Sequence, residues 1–600
     1  MQFLIDNVYT TVKFTEPKHI QKIVEDQLHY ILDPLDPKRY QMVSFRRHFW
    51  DGRIVFYDRK HHRFLTGLLS QAVEGLKQAQ SHMQIPSFEV VDLREAPIRP
   101  KEIAKQVRLK GDPGKPDIIM HNDDEKWGYQ YRAMKFALEN QRSIINISTG
   151  GGKTEVSAAV IKQDLTVLKP EDKILFLCSG KDLAYQTQAR YAKRLEMEGQ
   201  IGFWGDGHKE IKQITCGILK SIASALKSNP NDNKNIKLTR QKDKALRYMV
   251  TQIIPKFEDV PHPKSLLKTY LRNNSAPYAY LEPVYTDLVD MVTSPMTDQD
   301  ILKVFAKYQE GYQKIIRQKN SAIYDKYYEA VNYLASVKVL VGDEFHHFAS
   351  NDYQLINQYL VNARQRVGLT GTLNKKENIK QYESVVGIAS ESIFKVPNSF
   401  LISKGISAKP YIKLIDIDQP KMLEQIHPFM GNNKLLQYQH FYRLAVIENT
   451  YRNQVIANIT KGLVATKKVT LIVVNSIEHG ENIQHELDAI GVKSQFLQGA
   501  LDTEARQELL TSVRKNETLV LIGTSLIDEG IDIPNLKYLI YASGGKSYRA
   551  TLQRIGRVLR IDKNKKDTYI FDFVDRTARV LYQQSKKRQK YYHDEGFTIL

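Results

Sequence analysis

Lys153 and Thr154 follow three consecutive glycines, Gly150, Gly151 and Gly152, in the stretch Ile147-Ser-Thr-Gly-Gly-Gly-Lys-Thr-Glu155. An apolar run, 143–147, precedes this stretch, and a helix-like one, Val156 to Ile161, follows it. A glycine turn between strand and helix lets successive backbone N–H groups close on phosphate, with the positive end of the new helix aimed at the same point. In that setting Lys153 would reach β- and γ-phosphates, and the Thr154 hydroxyl would face Mg²⁺. The strict spacing wants a glycine six residues before the lysine, where Ile147 stands. A triphosphate-cleaving site also needs an acid for the metal and a base for water. Val337-Lys-Val-Leu-Val-Gly-Asp-Glu-Phe-His346 offers both. Its strand-like run ends at Gly342, so Asp343 and Glu344 should emerge at a strand's carboxyl end, where open parallel sheets bind ligands. Asp343 is expected to hold Mg²⁺ through water, Glu344 to orient and deprotonate the attacking water, and His346 to sense the site. His346-His347 lacks further ligands at metal spacing, so no structural metal is expected.

Two further stretches bear on function. Gly544-Gly-Lys-Ser547 repeats the glycine-lysine pattern after another strand-like run, again without the sixth-back glycine (Ile540). No Asp-Glu pair follows it, and it runs directly into Gln553-Arg-Ile-Gly-Arg-Val-Leu-Arg560, so it reads as a degenerate counterpart. Near the start, Ser44-Phe-Arg-Arg-His-Phe-Trp-Asp-Gly-Arg53 interleaves basic and aromatic residues around an Asp51-Gly52 turn signal. That composition suits a nucleic-acid contact through Arg46, Arg47, Trp50 and Arg53. The alternative is that Phe49 and Trp50 are core and the arginines merely solvated.

The elements that must position these residues follow from periodicity. Residues 1–95 form a small α+β unit, with strands expected at 8–14 and 53–57 and a helix at 20–32. The prolines of 96–125 suggest a linker. From about Trp127, short β-rich runs at 144–147, 174–178, 214–218, 337–341 and 367–369 alternate with helix-like stretches, the pattern of a doubly wound parallel sheet. This first lobe, 126–375, is interrupted by a helical, tyrosine- and lysine-rich insertion at about 226–333. A second α/β lobe, 376–600, has a long amphipathic helix expected at 435–459 and a basic helix near 582–592.

Composition narrows the classes. Six hundred residues imply several domains at roughly 100–200 residues each. Lys and Arg number 87 against 67 Asp and Glu, a net charge of +20, and polyanions are the first partners such a balance suggests. Two cysteines, Cys178 and Cys216, are too few for a disulfide framework or zinc site; both fall in apolar runs and are expected as buried thiols. No run approaches the ~18 apolar residues of a membrane span, and the N-terminus has no secretory signal pattern. No membrane contact is expected, and the expected setting is intracellular and soluble.

Chain order carries a resemblance. Glycine loop, Asp343-Glu-Phe-His346 box, Thr370-Gly-Thr372 after a strand, and Gln553-Arg-Ile-Gly-Arg557 with Arg560 resemble, in order and spacing, the motifs of superfamily 2 DExH-type helicases and translocases. The resemblance covers about 127–580 apart from the insertion. It implies two RecA-like lobes with ATP and Mg²⁺ between them. It further implies an adenine-reading Gln130; nucleotide contacts from Thr149–Thr154, Gly530 and Asp532; and strand contacts from Gln186 and Thr524. Coupling would run through His346, Thr370 and Thr372, while Gln553, Arg557 and Arg560 would complete catalysis from the second lobe. Ser179-Gly180 stands where the family has Pro-Thr. Phe49-Trp-Asp-Gly-Arg-Ile54 ahead of such a core resembles the UvsW-like phage recombination helicases. This resemblance implies a DNA-gripping N-terminal domain and action on branched DNA: forks, D-loops and Holliday junctions. The partners expected are DNA and phage replication or recombination proteins, in the host cytoplasm. A duplex translocase, an RNA helicase and a nucleic-acid-binding scaffold with a dead ATPase site are the alternatives.

Overall fold

The computed structural model describes residues 1–229, 238, 240–276, 278–319, 321–419, 434–498, 503–524, 533–561 and 565–600. The chain forms two compact units: 1–218 with 337–357 and 361–600, and 219–336 with 358–360.

The first unit contains three main sheets. The N-terminal sheet has four strands in the order Arg63–Leu65, Tyr9–Lys13, Gln2–Ile5, Glu89–Asp92. Gln2–Ile5 and Tyr9–Lys13 alternate buried with less buried residues, so one face packs inward, and the helices Lys18–Leu32 and Leu69–Ala79 contact each other. No strand forms at 53–57. Asp33 Oδ1 accepts from the backbone N–H of Phe56 (2.6 Å) and Tyr57 (2.9 Å), donors a strand would have used.

The first RecA-like lobe is an eight-stranded sheet in the order His208–Glu210, Ile201–Gly205, Ile214–Ile218, Lys173–Cys178, Val337–Gly342, Gln365–Thr370, Arg142–Ile147, Ile393–Val396. All neighbours are parallel except the first pair. Every residue of Arg142–Ile147 and Gln365–Thr370 is buried, which fits strands covered on both faces. Cys178 and Cys216 lie buried on adjacent strands with no disulfide.

Residues 96–125 are not a linker. Gln106–Leu109 and Ile118–His121 form an antiparallel hairpin, and Ile98, Val107, Leu109 and Met120 join the core of the first lobe. Pro113 and Pro116 occupy its turn, where Gly114 has φ +74° and the Gly111 N–H donates to Asp117 Oδ1 (2.9 Å). Proline marks a turn as readily as a linker, and here the apolar alternation decides between them.

The second lobe is a seven-stranded, all-parallel sheet in the order Gln495–Leu497, Val520–Gly523, Val469–Val473, Leu536–Tyr541, Asp567–Asp575, Lys409–Ile417, Thr598–Ile599. Leu471 belongs to one apolar cluster and Ile472 to another, so the sheet has a core on each face. The long helix expected at 435–459 is broken. Lys434–Tyr442 runs into a π-turn at Arg443–Ile447, and Thr450–Val464 starts anew with Asn449 as its cap, accepting from the Arg452 N–H (3.1 Å).

The second unit is helical: Leu219–Lys227, Gln241–Tyr248, Pro263–Asn273, Glu282–Thr293, Asp298–Lys319 and Ser321–Ser336. Met249, Ile253, Leu267, Leu288, Ile301 and Phe305 are part of its core.

Candidate active site

The glycine loop leaves the buried strand Arg142–Ile147 and enters the helix Lys153–Asp164, so the unpaired N–H groups of that helix's first turn open at the loop. Gly150 (φ +86°) and Gly152 (φ +82°) are left-handed, and an added Cβ on Gly152 would lie 2.1 Å from Gln130 Nε2. An added Cβ on Gly151 would lie 2.3 Å from Ile147 Cγ2, so the bulk of Ile147 is accommodated by a glycine across the loop. Lys153 Nζ donates to Ile147 O (3.2 Å). From the helix Gly128–Asn140, Tyr129 Oη (2.7 Å) and Gln130 Nε2 (3.1 Å) both donate to Gly151 O. Gln130 therefore braces the loop from beneath. It is absent from the cavity wall, where its neighbour Trp127 stands, which departs from the expected adenine-reading position.

Asp343 and Glu344 leave the carboxyl end of Val337–Gly342. Glu344 is left-handed (φ +45°), and its N–H donates to Asp343 Oδ1 (2.8 Å). Burial first, and then the Glu344 charge, push the Asp343 carboxyl up to about 6 against the opposing pull of Lys153. A divalent cation beside such a carboxyl would reverse that balance. His346 is buried, its Nδ1 3.4 Å from both Thr370 Oγ1 and Glu344 Oε2, and burial holds the imidazole low, at about 2. It is thus a neutral bridge from the carboxylate to the next strand end, where the Thr372 N–H meets Thr370 Oγ1 (3.4 Å).

The second lobe reaches this site through the helix Tyr548–Val558, capped by Ser547, which accepts from the Ala550 N–H (3.3 Å). Gln553 Nε2 lies 3.5 Å from Glu344 Oε2. Gly556 packs on Thr149: an added Cβ would meet Thr149 Cβ at 2.8 Å, so glycine is what lets helix and loop touch. Arg557 and Arg560 line one cavity of about 510 Å³ together with Lys153, Thr154, Asp343 and Glu344. Its size suits a small-molecule ligand. Burial, and then Arg190, lower Arg560 to about 10. Arg554 instead turns into its own lobe, donating to Ser543 Oγ (2.7 Å) and Asn475 Oδ1 (3.0 Å).

Several expectations differ from this geometry. Gln186, expected at a strand-binding face, lines the same cavity. Gly530 and Asp532 lie outside the described residues. Arg46, Arg47, Trp50 and Arg53 sit on the N-terminal domain, where Arg53 is engaged internally, donating to Asp33 O (2.7 Å). Trp127, Arg190 and Ser407 were not foreseen. Arg190 had a signal, standing one helical turn after Gln186 on Lys181–Leu195. The second glycine loop is structural: Gly545 O accepts from Arg588 Nη1 (2.6 Å) and Lys546 O from Tyr591 Oη (3.0 Å). Among the described residues no group of three or more His, Cys, Asp or Glu could hold a metal ion, and no helix is long and apolar enough to cross a membrane.

Two parallel-sheet lobes, a glycine loop and acid pair on one, and arginines from the other on a shared wall define the class of two-lobed nucleotide-dependent motor cores. Residues 124–254 and 265–375 match the family described as type III restriction enzyme, res subunit, and 452–562 match the helicase conserved C-terminal domain. The chain belongs to superfamily 2 of helicases and translocases. It is 25% identical over 274 residues to the putative helicase 22 of Sulfolobus islandicus filamentous virus (44% of this chain, 47% of the relative). It is 26% identical over 257 residues to the ATP-dependent DNA helicase uvsW of Enterobacteria phage T4 (42% and 49%). The chain thus spans about half the length of these relatives. The crystal structure of T4 UvsW superposes with TM-score 0.38 at 15% identity, covering 100% of this chain and 99% of that one.

Proposed function

We propose that this protein is an ATP-dependent DNA helicase or translocase that unwinds or branch-migrates branched DNA. The observation that carries the reading is the shared wall on which Arg557 and Arg560 of the second lobe face Lys153, Thr154, Asp343 and Glu344 of the first. The residues fit ATP with Mg²⁺: left-handed glycines at a helix N-terminus, a lysine beside them, and a buried carboxyl at the neighbouring strand end. Bound Mg²⁺ would supply charge neutralisation at the phosphates. The loop N–H groups and Lys153 hold the phosphates, Thr154 and Asp343 face the metal, and Glu344 takes the proton of the attacking water. Gln553, Arg557 and Arg560 stabilise the charge that develops on transfer, so hydrolysis depends on the lobes meeting. The +20 charge and the similarity to a DNA helicase support DNA as the polyanion.

The test is phosphate release and strand displacement on matched single-stranded, duplex, forked and four-way DNA, with RNA as control. The expected result is stimulation greatest on branched DNA, with strand displacement. Stimulation by duplex without displacement would make the protein a duplex translocase. Preference for RNA, or no turnover with any nucleic acid, would overturn the reading.

A further inference from the structure

The nucleotide cavity does not account for an exposed tip on the N-terminal domain. Between Lys38 and Arg53 the chain has five Lys or Arg and one acid, Asp51. In the same stretch Tyr40, Met42, Val43 and Phe49 are exposed, Phe49 at 82%. A single exposed apolar residue needs no explanation, but four within ten residues do.

The tip is held firmly. The Phe49 N–H donates to Ser44 O (2.9 Å), Trp50 Nε1 to Arg53 O (2.9 Å) and the Asp36 N–H to Gly52 O (2.7 Å). His29 lies 2.5 Å from Asp33 and 2.6 Å from Asp51, so the one acid of the tip already has a partner. Gly52 has φ +83°, and an added Cβ would stand 2.7 Å from Arg39 Cδ and 2.8 Å from the Phe45 ring. Phe45 and Trp50 pack edge to face beneath. The fold therefore holds the backbone that presents this ring to solvent, with Arg47 and Arg46 exposed two and three residues away.

Arginines alone serve a phosphate backbone. An apolar ring gains little from intact duplex, whose base faces are already stacked; it gains from faces left open at a junction. Charge selects the partner, because a basic tip without a free acid favours a polyanion over a neutral protein surface. We propose that this tip recognises unpaired bases at a duplex junction, Phe49 stacking on an open base face while Arg46 and Arg47 hold the flanking phosphates. This rests on the reading of DNA as substrate given above.

The experiment uses the full chain and its Phe49→Ala and Arg47→Ala variants. Anisotropy titrations would compare a blunt duplex with a fork of equal length and sequence, with 2-aminopurine at the first unpaired position. Stacking of one base is worth roughly 5- to 100-fold in affinity. Phe49→Ala should weaken fork binding at least about five-fold, leave the duplex within about two-fold, and abolish the aminopurine response. Arg47→Ala should weaken both about equally and lower the salt slope by about one. Equal loss on both substrates with Phe49→Ala, or loss on neither, overturns the proposal while DNA binding by the parent chain stands. Binding to anionic vesicles that Phe49→Ala abolishes, with DNA binding unchanged, overturns it in favour of a membrane. Failure of the parent chain to bind any DNA would bring down the functional reading itself.

Discussion

At the scale of single residues, the proposed function divides the site into groups that hold and groups that accelerate. Lys153 stands at the end of the phosphate loop and donates to Ile147 O. Lys153→Ala should reduce DNA-stimulated phosphate release by roughly 10²-fold or more while leaving DNA affinity within about two-fold. Normal turnover in this variant would remove Lys153 from the site. Arg557→Ala and Arg560→Ala should behave differently, cutting the turnover rate by about 10³-fold or more with nucleotide affinity largely kept, because their charge matters most in transfer. Fluorescent-nucleotide binding alongside single-turnover hydrolysis separates the two cases. The acid pair and glycine loop were legible in the sequence because each is one local strand end. Trp127, Ser407 and the true position of Gln130 were not, since which side chain faces a cavity depends on elements brought together from distant parts of the chain. Ile147 shows the same limit. Its departure from the usual glycine is explained by Gly151 across the loop, a contact that spacing alone does not reveal.

At the scale of elements, the helix Tyr548–Val558 meets the first lobe at Gly556, against Thr149, and at Gln553, near Glu344. Gly556→Ala adds a methyl with nowhere to go against Thr149. Hydrolysis should fall at least about ten-fold, since a misplacement of ~1 Å can cost 10²-fold, while the denaturation midpoint stays near that of the parent. A large loss of stability instead would place the damage within the second lobe. The C-terminal helix Arg579–Asp594 tests another link. Arg588 makes a two-pronged pair with Asp572 (2.9 and 2.8 Å), both buried, and Tyr592 Oη adds a third bond to that carboxylate (2.7 Å). Arg588→Ala leaves an unpaired buried acid and should cost about 3–5 kcal/mol in chemical denaturation. His479, on Ile477–Ala489, is buried, and burial first and then Arg452 lower its basicity well below the ordinary value. The unfolded chain thus binds the extra proton below about pH 6.5, so stability is full above that pH and lost on acidification, by up to about 1.4 kcal/mol per unit. His479→Gln should flatten that slope. The broken helix at Asn449 and the hairpin at 96–125 escaped the sequence for a shared reason. Asn caps helices as well as sitting within them, and Pro turns hairpins as well as linking domains.

At the scale of the whole molecule, the lobes and the helical second unit were visible in periodicity, because buried parallel strands read as short apolar runs and the insertion interrupts them. How the N-terminal domain is attached was not. Arg142, the first residue of the strand that leads into the glycine loop, is buried and gives its guanidinium to three carbonyls: Ala389 (2.9 Å), Ile388 (2.6 Å) and Asn7 (3.0 Å) of the N-terminal domain. Asn7 Nδ2 in turn donates to Val361 O (2.9 Å), and at Gly67 an added Cβ would collide with Val386 O at 2.1 Å. The small domain is keyed into the first lobe by backbone contact that no side chain larger than hydrogen would permit. In mechanical terms the two make a single stator. On the proposed function, any separation of the arginines from Lys153 would be carried by the second lobe and would leave the Phe49 tip in place relative to the lysine.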